Sequence, residues 1–346
     1  MARTILLGSL VLAPLSIALH YLADLPEAFE FALAALALIP LAWLIGEATE
    51  HAAHHTGPGV GGFLNATFGN APELIIALFA VNAEKFEVVR GSLSGSVIGN
   101  LLLVLGFSLL FGGRGELDRQ SSFVSLGLIA LALLLLLIPA VPGFDGDPER
   151  RSIAELSIAP SVVLLLAYVA VTYAALRRHR RLHVSDEPSE FRAWSLRTSL
   201  LVLAAATVVT AFIAEIVVGT IDAFADDLGL TNFFVAAVIV AIVGNAAEHG
   251  GAVVVAYRGR IKLAAEIALA SSAQVAVFLI PAVALIAWLI DPLALSFRPV
   301  ELIAVGASVV LTSILLVQGR STRARGVILI LAYLAVAVAF FLAGDR

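Results

Sequence analysis

The sequence of 346 residues contains no cysteine and few charged residues. The absence of cysteine excludes disulfide bonds and thiolate-ligated metal sites. Charged residues make up 14% of the chain and hydrophobic residues 60%, whereas a soluble domain averages about 25% charged and about 45–50% apolar residues. Such a chain cannot cover itself with polar side chains, so most of its surface is predicted to face lipid. The net charge of −5 is spread out, with no basic tract for nucleic acid.

Long apolar runs dominate the chain. A helix needs about 20 mostly apolar residues to cross a bilayer. The sequence therefore predicts an all-α polytopic membrane protein with eleven transmembrane helices, at residues 4–22, 28–46, 60–81, 90–111, 122–140, 154–176, 198–217, 231–256, 263–290, 299–318 and 324–343. The first run lacks a tail of small residues typical of a cleavage site, so we interpret it as a span and not as a signal peptide.

The basic residues predict the orientation of the spans. If the N-terminus is cytoplasmic, 15 of the 21 Lys and Arg residues fall on the cytoplasmic side, as the positive-inside rule requires. We therefore expect a multi-pass protein with its N-terminus inside and its C-terminus outside. The longest polar stretch, 177–197, is predicted to be a basic cytoplasmic linker. The sequence thus predicts an N-terminal helix with its outer loop at residues 1–27. Two five-helix repeats follow at residues 28–176 and 198–346, and this linker, 177–197, joins them.

One short motif occurs twice. Residues 69–73 (GNAPE) reappear as residues 244–248 (GNAAE), 175 positions later, and at the same offset Ser96 corresponds to Ser271. An offset of five spans is odd, so the two copies enter the membrane in opposite directions. This predicts an inverted repeat, an architecture of many secondary transporters. Gly and Pro before the glutamate, with the Pro in the first copy only, favour an interrupted helix.

The glutamates of the two motifs are the main candidates for chemistry. Glu73 and Glu248 place two carboxylates in a medium of low dielectric constant, where two bare anions are very costly. Two protons or one divalent cation can neutralise them, and these alternatives exclude each other, as an exchanger requires. Oxygen donors favour a hard cation such as Ca²⁺ as the transported substrate. The candidate oxygen donors are Asn70, Asn245, Ser96, Ser271, Asn100 and Gln274. Helix capping by the asparagines and close helix packing at the serines are the structural alternatives.

Further ionisable residues flank the two motifs. Glu47 and Glu215, on the second and seventh spans, are predicted to gate or to carry protons. Glu50 is a candidate for the same pathway, although we favour a solvated charge at a helix end. His249, next to Glu248, is a candidate proton relay or ligand, and a hydrogen bond between helices is the structural alternative.

A histidine cluster, HAAHH, follows Glu50. The order Glu-His-x-x-His-His of residues 50–55 differs from the His-Glu-x-x-His order of a zinc protease helix. We interpret His51, His54 and His55 as a solvated helix end, with a cytoplasmic pH sensor as the alternative.

Two long segments carry a family resemblance. They are GEATEHAAHHTGPGVGGFLNATFGNAPELIIALFAV with GSVIGNLLLVLG, and VAAVIVAIVGNAAEHGGAVVVAYRGRIKLAAEIALASSAQVAVF. They resemble the calcium (cation)/proton exchanger family, CAX, of the calcium/cation antiporter superfamily. The resemblance implies one separate helix and two inverted five-helix halves. It also implies Ca²⁺ transport against H⁺, with Glu73 and Glu248 as the shared ligands of the ion and the proton, and paired residues at Ser96, Asn100, Ser271 and Gln274.

Two departures from the family pattern refine this expectation. Pro72 stands where CAX members commonly have Thr and resembles the sodium/calcium exchanger branch. The linker lacks the acidic helix of fungal and plant members, which implies a protein of the prokaryotic cytoplasmic membrane.

The sequence therefore predicts a transporter and not an enzyme, with no resident cofactor and with Ca²⁺, H⁺ and the lipid bilayer as its partners. Export of Ca²⁺ in exchange for H⁺ is the first hypothesis. An Na⁺/Ca²⁺ or broader divalent exchanger is the alternative. A passive channel is more remote. An intramembrane metalloprotease is also more remote, because the helix with the protease motif is missing. A homo-oligomer is compatible with the sequence.

Overall fold

The computed structural model describes residues 2–182 and 194–345, without the side chains of residues 2–3, 57–63, 65–66, 175–182 and 247–249. Most of the predicted linker therefore lies outside the described residues. The helices are α1 (Ala2–Ser9), α2 (Leu12–Leu22), α3 (Glu27–Gly69), α4 (Ala71–Asn82), α5 (Phe86–Ile98), α6 (Leu105–Gly112), α7 (Arg119–Ala140), α8 (Arg151–Leu182), α9 (Leu196–Leu228), α10 (Asn232–Phe234), α11 (Ala241–Gly244), α12 (Ala246–Tyr257), α13 (Ile261–Gln274), α14 (Ile280–Ala287), α15 (Pro299–Leu316) and α16 (Arg323–Ala343). Shorter elements are the π-helical turns Gly99–Val104, Val235–Val240 and Val275–Leu279, the 3₁₀ turn Val141–Gly143, and the antiparallel strands β1 (Gly115–Glu116) and β2 (Arg320–Ser321).

The predicted membrane spans are largely present as helices. Within the described residues, nine helical stretches are long and apolar enough to cross a membrane. Two shorter apolar helical stretches, Ala71–Asn82 and Asn232–Gly244, overlap the third and eighth predicted spans. The all-α polytopic fold is therefore confirmed, whereas the number of eleven spans stays a prediction.

The region of the second and third predicted spans differs from the expectation of two separate helices. One helix, Glu27–Gly69, covers 43 residues, and a straight helix of that length would be about 65 Å long. Phe68 nevertheless packs in the same small cluster as Ile45 and Leu203. The helix therefore bends back between Ile45 and Phe68, and the intervening GPGVGG sequence supplies the proline and glycines at which helices kink.

The repeat seen in the sequence recurs in the backbone. Helices α4, α5 and α6 start 175 residues before α12, α13 and α14. A π-helical turn joins the second and third helix of each set, at Gly99–Val104 and Val275–Leu279. The helix breaks before α4 and α12 fall on Asn70 and Asn245, with similar φ angles of −101° and −88°. The predicted interruption of both motif helices is therefore confirmed.

The loops collect at two ends of the helix bundle. At one end, β1 pairs with β2, and Lys262 Nζ lies 3.2 Å from Asp118 Oδ2. At the other end, the buried guanidinium of Arg90 lies 2.5 Å from Glu149 Oε1 and donates to the carbonyl oxygen of Ala294 at 3.2 Å. This grouping fits the predicted alternation of inner and outer loops, and which end faces the cytoplasm stays a prediction.

A glycine allows the two halves to approach closely beside the motif serine. A Cβ atom at Gly95 would lie 2.0 Å from the carbonyl oxygen of Ala237. Small residues let helices pack with their backbones in contact inside a membrane. Gly95 therefore places α5, and with it the next residue, Ser96, directly against the second half.

Candidate ion-binding site

Glu73 is the last residue of the first motif and lies near the start of a helix. It is the third residue of α4, after the break at Asn70, and is 8% exposed. A Cβ atom at Gly244 would lie 3.4 Å from Glu73 Cγ, so the second motif packs on the glutamate of the first. The N-terminus of a helix favours a nearby negative charge. Glu248 occupies the same third position of α12, but its side chain and that of His249 lie outside the described residues.

Two hydrogen bonds cross between the halves beside these breaks. Asn245 Nδ2 donates to Ser96 Oγ at 2.8 Å, and Asn100 Nδ2 donates to Ser271 Oγ at 3.0 Å. All four side chains are buried. The structure therefore brings together four of the six predicted oxygen donors. Helix capping does not account for Asn245, because its side chain forms no capping hydrogen bond at the start of α12.

The same two asparagines expose acceptor oxygens to the interior. The Oδ1 atoms of Asn100 and Asn245 are buried and receive no hydrogen bond from the described part of the chain. Leaving a buried acceptor unsatisfied costs about 1–3 kcal/mol. Ca²⁺ is coordinated by about 6–8 oxygens, including amide carbonyls. Buried amide oxygens that receive no hydrogen bond are thus donors of the kind that a hard cation uses.

The other two predicted donors, Asn70 and Gln274, take part in neither of these two hydrogen bonds. Asn70 is 1% exposed and lies at the break before α4. Gln274 is partly buried at the end of α13, and within the described residues no hydrogen bond joins it to the serines or asparagines.

Sequence reasoning missed two features of this region. Ser272 is buried and its Oγ donates to the carbonyl oxygen of Val97 at 3.0 Å, which adds a further hydrogen bond between the halves in this region. Only its position beside Ser271 signals it in the sequence. The π-helical turns that follow Ser96 and Ser271 leave no sequence signal that we can name, although such turns are frequent at functional sites.

The predicted flanking acids differ in exposure. Glu47 is 22% exposed, and its Oε1 lies 3.8 Å from His51 Nε2. Glu50 is exposed, and Glu215 is exposed on α9. At the offset of 175 the counterpart of Glu47 is Asp222 and not Glu215. The motif search missed Asp222, which the offset alone identifies.

The histidine cluster contacts the end of the linker. His51 is 3% exposed and stacks on Trp194 with ring centroids 4.3 Å apart. Its Nδ1 accepts a hydrogen bond from the backbone N–H of Trp194 at 3.2 Å, and His55 Nε2 lies 2.6 Å from the carbonyl oxygen of Trp194. His54 and His55 are exposed as expected, but they lie within α3, which continues to Gly69, and not at a helix end. The expectation is wrong for His51, because the indole ring covers it.

We expect His51→Ala to loosen the docking of Trp194. The substitution removes one hydrogen-bond acceptor, worth about 0.5–1.5 kcal/mol, and one stacked ring. In a background with Trp43→Phe and Trp288→Phe, the emission of Trp194 should shift to longer wavelength and become more accessible to acrylamide. His54→Ala changes an exposed neighbour and is the control. Unchanged emission in His51→Ala would contradict the proposed docking.

Most of the chain matches the model of a known protein family. The model of the family described as sodium/calcium exchanger protein matches residues 28–177 and 198–342. The chain belongs to this family. The two matched segments lie on either side of the predicted linker.

Individual relatives locate the chain within the family. It is 39% identical to the "Ca(2+)/H(+) antiporter ChaA" of Bacillus subtilis over 329 residues, covering 92% of this chain and 93% of that protein. It is 36% identical to the "Vacuolar cation/proton exchanger 4" of Arabidopsis thaliana over 357 residues, covering 96% of this chain and 80% of that protein. The solved structure of native YfkE has a TM-score of 0.84 at 35% identity, over 98% of this chain and 99% of that chain. These relatives confirm membership of the CAX family.

Proposed function

We propose that this CAX member is a secondary antiporter that exports Ca²⁺ from the cytoplasm in exchange for H⁺. The observation that carries this proposal is the pair of crossed hydrogen bonds, Asn245 to Ser96 and Asn100 to Ser271, beside the buried Glu73. They join polar side chains of the two halves, and Gly244, which precedes Asn245, packs on Glu73. The relatives add support, since the one from Bacillus subtilis is named as a Ca²⁺/H⁺ antiporter.

The proposed mechanism uses Glu73 and Glu248 as a shared charge. When both are deprotonated, they and the amide oxygens of Asn100 and Asn245 bind Ca²⁺. When the cation leaves, protons neutralise the carboxylates, because two bare anions at this depth are too costly. One half of the protein then rocks against the other, so that either load is delivered to the opposite side. The empty site carries two negative charges and does not switch to the opposite side of the membrane, so Ca²⁺ movement is coupled to proton movement.

The direct test is Ca²⁺ flux in inside-out membrane vesicles. An acidic lumen should drive Ca²⁺ uptake into the vesicles, and a protonophore that collapses the pH gradient should stop it. Uptake that is independent of the pH gradient would contradict H⁺ as the counter-ion.

An Na⁺/Ca²⁺ exchanger is the second candidate, and Pro72 favours it. Pro72 is buried at the second position of α4, where it fits the helix start but offers no hydroxyl group. The same vesicles, loaded with Na⁺ at equal pH on both sides, separate the two candidates. Ca²⁺ uptake driven by the Na⁺ gradient alone would favour the second.

Neutralising a flanking acid should alter gating and not binding. In the proposed cycle Glu47 and Glu215 take up protons as the halves rock. Glu47→Gln or Glu215→Gln should therefore slow turnover severalfold and shift its pH optimum, while equilibrium Ca²⁺ binding stays largely unchanged. Calorimetry at fixed pH beside vesicle flux measures both quantities. Loss of binding as large as in Glu73→Gln would make these residues direct ligands.

A further inference from the structure

An ion pair joins the two predicted halves at the predicted outer face. The Lys85 ammonium contacts the Asp222 carboxylate, and Asn232 Nδ2 donates to the other oxygen of Asp222 at 2.7 Å. Lys85 immediately precedes α5 in the first half, whereas Asp222 lies on α9 in the second. A contact of this kind stabilises the arrangement in which this end of the protein is closed.

The turn that presents Lys85 recurs around Arg260, 175 residues later. Glu84 and Gly259, the residues before the two cations, have positive φ angles of 57° and 82°. Lys85 and Arg260 have similar φ and ψ angles, −89° and 59° against −98° and 51°. The amide of each donates to the carbonyl oxygen five residues earlier, at 2.8 and 3.1 Å. Both turns therefore present a cationic side chain from the same backbone geometry.

The acid recurs at the same offset. The counterpart of Asp222 is Glu47 on α3. Helix α4, which leads to Lys85, packs on α9, and helix α12, which leads to Arg260, packs on α3. The repeat thus relates the Lys85–Asp222 pair to Arg260 and Glu47, which lie at the opposite, predicted inner face.

Only one of the two related pairs is formed. Within the described residues Arg260 is exposed and makes no ion pair, and Glu47 Oε1 instead lies 3.8 Å from His51 Nε2. We propose that Lys85–Asp222 and Arg260–Glu47 are alternating latches, the first closing the outer face and the second closing the inner face. The present structure is then the state that opens inward. This proposal rests on the alternating access of the proposed function and names the contacts that hold its two states.

Distance measurements between spin labels test the latches directly. Because the chain has no cysteine, Ala83→Cys and Asp226→Cys provide two unique, exposed label sites on the two sides of the outer face. Pulsed electron paramagnetic resonance in lipid nanodiscs then gives the ratio of long to short distances, which is the ratio of outward-open to outward-closed protein. Asp222→Asn removes the charge but keeps an oxygen for Asn232.

The two latches should act in opposite directions. Asp222→Asn should raise the long-distance fraction about two- to fivefold, as expected for one partly exposed ion pair. Arg260→Gln, added to Asp222→Asn, should lower that fraction again, because it weakens the inner latch of the outward-open state. Asp227→Asn, an exposed acid on the same helix that makes no ion pair with the described residues, is the matched control. Lys85→Glu with Asp222→Lys should restore the wild-type ratio.

The proposal is overturned if Asp222→Asn behaves like Asp227→Asn, if Arg260→Gln leaves the ratio unchanged, or if both substitutions shift it in the same direction. The measurement needs no ion flux, so its failure is distinct from failure of the vesicle experiment. A correctly folded variant is recognised by its unchanged elution as a single species in detergent.

Discussion

Glu73→Gln or Glu248→Gln should abolish Ca²⁺ exchange while leaving the protein folded. Glutamine keeps the size of the glutamate and resembles its protonated form, so packing against Gly244 is preserved. It cannot supply the charge for which Ca²⁺ and protons compete. Removing one partner of a buried charge interaction costs about 3–5 kcal/mol, so Ca²⁺ affinity should fall by at least about a hundredfold.

Vesicle flux and Ca²⁺ binding by calorimetry measure the two consequences of this change. Glu155→Gln, an exposed acid on α8, is the control and should transport normally. Thermal unfolding shows whether each variant is folded. A folded Glu73→Gln variant that moves Ca²⁺ near the wild-type rate would remove Glu73 from the mechanism.

The sequence was sufficient to predict the repeat and its consequences. The offset of 175 between the GNA-x-E motifs recurs in the starts of α4, α5 and α6 and of α12, α13 and α14. The breaks at Asn70 and Asn245 follow from the local residue types. Buried Glu73, Ser96 and Ser271 follow from polar residues embedded in apolar runs. Local chemistry and a constant offset carry this information.

Other features depend on how helices pack, which local patterns do not fix. The bond from Asn245 to Ser96 joins residues 149 positions apart, and hydrophobicity alone does not set the rotation of the two helices that aligns them. His51 reads as a helix end because its cover, Trp194, lies 143 positions later. The bend of α3 is likewise hidden, since Ile45 and Phe68 join one cluster with Leu203 of α9 only in the folded chain.

The offset of 175 also relates residues that lie outside the GNA-x-E motifs. Glu47 and Glu215 attract attention because both are acids in apolar runs. The repeat relates Glu47 to Asp222, an acid that lies just beyond the predicted seventh span, residues 198–217. In an inverted repeat, residues that serve the same purpose on opposite faces are found by the offset and not by depth in the membrane.

The apparent affinity for Ca²⁺ should weaken steeply as the pH falls from 8 to 6. Ca²⁺ requires deprotonated carboxylates, so every proton bound to Glu73 or Glu248 must leave before the cation binds. Where the free site holds one proton, affinity falls about tenfold per pH unit, and where it holds two, about a hundredfold. In the proposed mechanism the two carboxylates share one site, and we therefore expect them to titrate as a coupled pair.

Calorimetry can count the protons that Ca²⁺ displaces. Isotherms in buffers of different ionisation enthalpy give the number of protons released per Ca²⁺ bound at each pH. Wild type should release between one and two protons at the acidic end, and release should decline toward pH 8. The Glu155→Gln variant, altered at an exposed acid on α8, should release the same number. A steady affinity from pH 8 to pH 6, or binding without proton release, would separate the cation site from the proton site, and Ca²⁺ and H⁺ would then have to be coupled through conformation and not through competition for the same oxygens.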